Sequence, residues 1–361
     1  MEHVYNYIRT EQDRKGFNWF YRINTGQLKA YRENAQFMFL CRSGAGILMR
    51  FFCTGDRLWF TARKINLLRL FIRVFKEVKL KGFLAMRPKK EERDTGGAAK
   101  KHRGPARLDG IDVLVDGSFA ATLPRRNGRI EFSFENPQGR PREISIYFPY
   151  LFNLGVKDLQ SKGTLMAAPP RPPMLCLGDS ITQGFAAGSA SQGYVPRLAA
   201  ALGLDALNQG IAGYGFKAES LDGLDAWAGP RIITVAYGTN DWETTGDFAA
   251  LDANLSAYFK RLREVFPHTP VFAMSPIWRA DLHKKSANGE RLERVAELIR
   301  REAARYRDVV AVEGFTLVPH DPDLFTDGYL HPNARGFEYY GDNLAAAIRS
   351  SPQWKALGIR Q

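Results

Sequence analysis

The chain has 361 residues, of which 45% are hydrophobic and 25% charged, and it carries a formal net charge of +13. That length accommodates two domains with cores of their own, and no apolar run reaches the roughly 18 residues that a membrane span needs. The three cysteines, Cys41, Cys53 and Cys176, are too few for a disulfide scaffold and lack metal-ligand spacing. They read as reduced thiols. The start, MEHVYNYIRTEQDRKGF, has no apolar core of a secretion signal, so a cytoplasmic protein is expected. The positive charge is one-sided. Residues 1–150 hold 29 Lys+Arg against 15 Asp+Glu, an excess of +14, whereas residues 151–361 hold 22 against 23. Two units with different surfaces follow.

From about Phe17 to Tyr150 the chain reads as short strands: AQFMFLC (35–41), GILMRFFC (46–53), RLWFTAR (57–63), GIDVLVDG (110–117), SFAATL (118–123), RIEFSF (129–134) and EISIYF (143–148). They are rich in aromatic and branched residues and bounded by Gly, Pro, Asn and Asp, the pattern of an antiparallel sandwich. VDGSF marks a hairpin. LLRLFIRVFKEV (67–78) fits both a helical stripe and a strand alternation, and its neighbours favour a strand. The segment 87–107 holds eight Lys+Arg against three acids. It reads as a polar surface loop, and without interleaved aromatic residues it does not read as a nucleic-acid site.

The Pro-rich AAPPRPP (167–173) marks the junction. The expected units are a sandwich over 1–155, a linker over 156–173 and an α/β domain over 174–361. In the last, strands MLCLG (174–178), LDALN (204–208), IITVAY (232–237), VFAMS (271–275) and VVAVE (309–313) alternate with helical stripes. One stripe is Leu251, Leu255, Tyr258, Leu262 and Val265, the next is Leu292, Val295, Ile299, Ala303 and Tyr306, and the last is Phe337, Tyr340, Leu344 and Ile348. Such alternation predicts a parallel sheet covered by helices on both faces, with its site at the carboxyl ends of the strands.

The unusual residues fall at those ends. LCLGDSITQG (175–184) puts Ser180 directly after the first strand. NQGIAGYG (208–215) follows the second, with Gly213 placed to bring a bare N–H to a ligand. YGTNDW (237–242) follows the third and offers the Asn240 amide, with Asp241 bracing the loop. TDGYLHPN (326–333) supplies His331 as a base and Asp327 as an orienting acid, with Asp323 in HDPD (320–323) as competitor. Acyl transfer needs these parts. A serine is a weak nucleophile until a base takes its proton, the base must be held in one tautomer, and the oxyanion needs fixed donors. Here those are the N–H groups of Ser180 and Gly213 and the amide of Asn240. Asp179, Trp242, Trp278, Arg279 and Tyr329 lie in the same loops and are the expected substrate wall. Each residue alone has a duller reading as turn or core; the set, one member after each of several strands, does not.

These blocks resemble the SGNH/GDSL hydrolase superfamily, whose four signature residues correspond to Ser180, Gly213, Asn240 and His331. The resemblance covers about 172–350. It implies a flavodoxin-like three-layer α/β/α domain and ester hydrolysis without a cofactor. The first half is similar, more weakly, to the jelly-roll-like β-sandwich that precedes such domains in carbohydrate esterase family 2, with GIDVLV (110–115) standing for a recurring Gly-x-Asp-Leu-Tyr. In one respect the chain departs from the family: the acid is usually three residues before the histidine, and Asp327 is four before. The expected activity is removal of a short acyl group, acetyl by analogy, from a small-molecule or carbohydrate ester. A lysophospholipase or thioesterase would need a long apolar groove. A glycan-binding protein on a residual hydrolase scaffold would not need the intact Ser180, Gly213, Asn240 and His331.

Charges on an exposed loop are screened beyond about 8 Å at physiological salt. Deleting Lys89–Arg103 is therefore expected to leave turnover of a neutral acetyl ester within a few-fold of the parent while weakening retention on a heparin-like resin. Collapse of turnover in a folded deletion variant would instead place the segment in the substrate cleft.

Overall fold

The computed structural model describes residues 2–32, 34–64, 109–227, 229–282, 284, 286 and 289–359. The strand expected at 67–78 and the basic loop expected at 87–107 lie outside the described residues.

The strands of the first part are, in chain order, β1 (Val4–Tyr5), β2 (Arg9–Gln12), β3 (Asn18–Tyr21), β4 (Leu48–Cys53), β5 (Arg57–Lys64), β6 (Ile111–Val115), β7 (Ser118–Leu123), β8 (Gly128–Ser133), β9 (Arg142–Tyr147), β10 (Leu154–Ser161) and β11 (Leu165–Ala167). They form two antiparallel sheets, one ordered β1-β4-β9-β6-β7 with β11 also on β4, the other β2-β3-β10-β5-β8. Side chains alternate across each strand. Leu58, Phe60 and Ala62 of β5 and Ile130 and Phe132 of β8 point inward to meet Phe51, Ile111, Val113, Ile144 and Ile146 of the facing sheet in one buried cluster. The β6–β7 hairpin turns on Asp116 and Gly117, both at positive φ (48° and 77°), as the two-residue turn that matches strand twist requires.

Two expectations are corrected here. AQFMFLC does not form a strand. After the short helix α1 (Leu28–Tyr31), residues Ala35–Leu40 form helix α2. Asn34 caps it, accepting from the N–H groups of Gln36 and Phe37, and Phe39 and Leu40 bury into the core of the other half. A local cap and a tertiary face override the strand propensity of the aromatic residues. The stretch 156–173 is not simply a linker either. It contains most of β10, which pairs with β5, and all of β11, which pairs with β4.

The second part carries a five-stranded parallel sheet of β12 (Pro173–Gly178), β13 (Asp205–Gly210), β14 (Ile232–Ala236), β15 (Val271–Met274) and β16 (Val309–Val312), ordered β13-β12-β14-β15-β16. This is the doubly wound flavodoxin-like order, whose crevice opens at the carboxyl end beside the first strand. The helices are α3 (Ser180–Gln183), α4 (Tyr194–Leu202), α5 (Thr239–Thr244), α6 (Phe248–Val265), α7 (Leu292–Ala303), α8 (Ala334–Ser350) and α9 (Pro352–Ala356). Strand residues 175, 177, 207, 233 and 235 bury against α6 and α7 on one face. Residues 174, 176, 206 and 232 bury against α4 and α8 on the other. Ile23, Tyr31, Phe39 and Leu40 of the first part belong to the former cluster, so the two parts share a core rather than merely touching. Among the described residues no helix is long and apolar enough to cross a membrane.

Polar bonds lock the shared face. Asp112 of β6, the acid of GIDVLV, accepts from the backbone N–H (2.8 Å) and hydroxyl (2.7 Å) of Ser191, with Thr122 on its other oxygen. Arg50 of β4 forks onto Asp205 at the start of β13 and also reaches the carbonyl of Pro169 (3.0 Å). Asp205 in turn takes the N–H of Arg171 (2.8 Å). Both side chains of the Arg50–Asp205 pair are buried, 3% and 10% exposed. Removing one partner of such a pair strands the other charge and costs about 3–5 kcal/mol. Asp205→Ala is expected to lower the unfolding free energy measured by urea titration by that margin; a change under about 1 kcal/mol, the scale of an exposed pair, would contradict the bridge.

Candidate active site

Every residue singled out as catalytic sits beyond the carboxyl end of the sheet. Ser180 opens α3 immediately after β12. Its neighbour Asp179 caps that helix, accepting the Ile181 N–H at 2.9 Å, and Gly184 closes it. The first N–H groups of a helix have no intrahelical acceptor, so the N–H of Ser180 stays available. Asn240 sits in the first turn of α5, after β14. His331 comes from the loop between β16 and α8.

That loop explains the irregular spacing of its acid. The Thr326 N–H bonds to the His331 carbonyl (2.8 Å), and Phe325 bridges Pro332, so the segment closes on itself. Inside it, Gly328 adopts φ 79°, a left-handed turn that takes up the additional residue. One oxygen of Asp327 accepts the backbone N–H groups of Tyr329 (3.1 Å), Leu330 (2.8 Å) and His331 (3.0 Å). The other lies 2.7 Å from His331 Nδ1, and His331 Nε2 lies 2.9 Å from Ser180 Oγ. Asp323 is not in this chain of contacts. Its backbone carbonyl accepts from Asn333, which caps α8.

The second strand's loop is held from three sides. Gln183 of α3 accepts the Ala212 N–H (2.9 Å) and donates to the Tyr150 carbonyl (2.9 Å). Arg22 of the first part donates to the carbonyls of Asn208 (2.9 Å) and Gly210 (2.7 Å). Asn240 Nδ2 donates to the Tyr214 carbonyl (3.0 Å) and reaches Asp179 at 3.4 Å. Gly213, between these anchors, is exposed and adopts φ 83°, and among the described residues its N–H has no hydrogen-bond acceptor. Asp241 braces the same corner as expected, accepting the N–H groups of Phe216 (2.9 Å) and Gly238 (3.1 Å).

Two carboxyl groups have shifted in opposite senses. Burial raises Asp179 to about 7, with the charge of Asp241 adding to it, and the backbone N–H groups of Ile181 and Asp179 and the charge of Arg279 offset this only in part. Burial would also raise Asp327, but the hydrogen bond and charge of His331, with the N–H groups of Leu330 and His331, hold it at about 2. Asp327 is therefore ionised whenever His331 is called on as a base.

The expected substrate wall divides. Tyr329 is 40% exposed at the rim. Arg279 is buried, paired with Glu243 and Asp281, with its guanidinium 5.0 Å from the Trp242 ring and 5.7 Å from the Tyr329 ring. Trp242 is buried beneath it, its indole N–H on the Glu290 carbonyl (2.8 Å). Trp278 points elsewhere, stacked on His320 (5.2 Å, 11°) and against Phe325. Sequence reading missed three neighbours of the site. Phe185, five residues after the serine, sets its ring 5.0 Å from that of His331. Phe37 and Gln36 of α2 lie against Gly213: a methyl group added there would meet Phe37 Cε1 at 3.4 Å and Gln36 Nε2 at 4.0 Å. Phe185 was legible from its closeness to Ser180. Nothing local connects α2 with Gly213.

The carboxyl of Asp327 has a folded value near 2 against an ordinary 3.8. Its contribution to stability is thus complete above about pH 4 and disappears as pH falls through 2. The difference in denaturation midpoint between the parent and Asp327→Asn is expected to be constant above pH 4 and to close between pH 4 and 2. A difference that persists undiminished at pH 2 would contradict an ionised Asp327.

Residues 176–339 match the GDSL-like Lipase/Acylhydrolase family. No curated protein sequence matches the chain. Among solved structures it is similar to the salicylyl-acyltransferase SsfX3 from a tetracycline biosynthetic pathway, with TM-score 0.71 and 19% identity over 99% of this chain and 96% of that one. It is also similar to a family two carbohydrate esterase from Cellvibrio japonicus (0.62, 16%, 98% and 97%). A third likeness is to an acetyl xylan esterase from the rumen bacterium Butyrivibrio proteoclasticus (0.59, 13%, 100% and 96%). At these identities the likeness is one of fold, and it spans both parts of the chain.

Proposed function

We propose that this protein, whose residues 176–339 match the GDSL-like lipase/acylhydrolase family and whose fold is similar to that of a family two carbohydrate esterase, is a serine esterase that removes short acyl groups, acetyl foremost, from a carbohydrate. The observation that carries the reading is the unbroken relay from Ser180 Oγ through both nitrogens of His331 to Asp327, at 2.9 and 2.7 Å.

Ser180 Oγ attacks the ester carbonyl while His331 Nε2 takes its proton. Asp327 keeps the other ring nitrogen protonated and balances the imidazolium that forms. The carbonyl electrons move onto oxygen, and the N–H groups of Ser180 and Gly213 and the Asn240 amide receive the charge. One Asn240 proton is committed to the Tyr214 carbonyl, and the other, weakly engaged at 3.4 Å, is offered to the oxyanion. Collapse expels the alcohol, which takes the proton back from His331. Water then repeats the cycle on the acyl-enzyme and releases the acid. The exposed ring of Tyr329, with the Arg279 guanidinium behind it, gives a sugar an aromatic face at the rim.

The likeness of fold to an acyltransferase over 99% of the chain favours one second reading: an alcohol, in place of water, accepts the acyl group in the second half-reaction. The same Ser180, His331 and Asp327 serve both. Ser180→Ala is expected to lower hydrolysis of nitrophenyl acetate by at least about 10³-fold at an unchanged melting temperature, and the parent is expected to favour acetate over octanoate in kcat/KM. Near-parental turnover by the variant would remove Ser180 as nucleophile. Efficiency rising with chain length would favour a lipase-like enzyme. Product analysis in the presence of sugar alcohols separates hydrolysis from transfer.

A further inference from the structure

We propose that helix α2 of the first part forms the acyl-side wall of the site, and that Phe37 limits the length of acyl group accepted; this rests on the serine-esterase reading above. The Phe37 ring lies directly against Gly213: its Cε1 and Cζ would stand in ordinary van der Waals contact, 3.4 and 4.0 Å, with a methyl group at that position. The ring also packs edge-on against Tyr214 (5.2 Å, 86°), and it is half-buried rather than covered. A half-buried aromatic ring thus abuts the residue whose N–H is the proposed oxyanion donor.

The helix that carries the ring is anchored at its end. The next residues of the helix, Phe39 and Leu40, lie in the cluster that contains Leu207 and Ile211 at the end of β13. Arg22 donates to the Leu40 carbonyl (2.8 Å) with one nitrogen and to the carbonyls of Asn208 and Gly210 with the other. One side chain therefore ties the end of α2 to the strand from which Gly213 hangs.

The geometry of the tetrahedral intermediate then divides the walls. Its carbon bears Ser180 Oγ, the oxyanion, the leaving oxygen and the acyl carbon. The leaving oxygen must face His331, which protonates it, and Phe185 stands beside that ring at 5.0 Å. The oxyanion faces the donors of Ser180, Gly213 and Asn240. The acyl carbon is left with the remaining flank, which we assign to Phe37 because its ring abuts Gly213. Phe185 borders the alcohol and Phe37 borders the acyl chain.

The test holds the leaving group fixed and varies the acid. For nitrophenyl acetate, butyrate and hexanoate, Phe37→Ala is expected to raise the butyrate-to-acetate ratio of kcat/KM by about 10-fold or more, within the range a methylene-sized pocket discriminates. Phe37→Leu should give a smaller rise and Phe37→Trp a fall, which keeps the test decisive if the alanine variant is unstable. Phe185→Ala should leave the ratio within about 2-fold. A ratio unmoved by all three Phe37 variants, with Ser180-dependent hydrolysis intact, overturns this inference and leaves the esterase reading standing. A parent enzyme without Ser180-dependent acyl chemistry overturns both.

Discussion

A guanidinium taken fully out of water must find an acceptor for each of its five N–H groups, and Arg22 does so with oxygens drawn from both parts of the chain. Its Nε and one terminal nitrogen share the Ser43 hydroxyl, that nitrogen also takes the Leu40 carbonyl, and the other takes the carbonyls of Asn208 and Gly210. The last two belong to β13, the edge strand of the parallel sheet. An open sheet edge presents unpaired carbonyls that must be covered, and here the cover is the first part of the chain. Gln27 and Gln209 continue the seam, bonded to each other at 2.8 Å, with Gln209 also on the Arg22 carbonyl (2.7 Å). The constraint that buries Arg22 therefore also fixes the end of β13, the loop bearing Gly213, and the helix that abuts it.

The site is assembled from elements that do not move independently. Ser180 is fixed by a helix cap, Asn240 by a carbonyl of the neighbouring loop, and His331 by a carboxylate that binds its ring and its backbone together. Asp327 spends one oxygen on shaping the loop and the other on orienting the imidazole. Loop shape and histidine tautomer are thus set by one ionised group, and its low proton affinity follows from that double use. Asp179 is the converse case: a carboxyl buried for its cap, whose burial outweighs the N–H groups and the Arg279 charge that favour its ionised form, and so pushed up. Donors aimed in advance at the place where charge will develop cost nothing to reorganise during reaction.

The sandwich is consequently more than a neighbour. Asp112 on Ser191, Arg50 on Asp205 and Arg22 on β13 are three buried polar joints along one face. Between them the aromatic and aliphatic residues of α1 and α2 enter the core of the parallel-sheet domain. Polar joints of this kind fix one relative placement, because a shift breaks hydrogen bonds that no water is present to replace.

Short-range pattern was sufficient for much of this protein. The alternation in β5 and β8, the Asp-Gly turn at 116–117, the helical stripes of α6 to α8 and the five parallel strands were all legible, since each is a local periodicity or a local backbone requirement. Ser180, Gly213, Asn240 and His331 were legible as candidates for a related reason: the first three lie within four residues of a strand end and His331 lies in the loop after the last strand, and the topology of a doubly wound sheet gathers the loops at those ends. The helix at 35–40 was not, because a cap and a burial face outweighed the strand propensity of its aromatic residues. Nor were the roles of Trp278, Phe37 and Arg22. Trp278 stands in a site loop but turns to His320, whereas Phe37 and Arg22 act across more than 170 residues of chain. Sequence by itself determined which residues could do the chemistry; only tertiary structure decided which side chains face it, because that depends on how buried polar groups from distant segments satisfy one another.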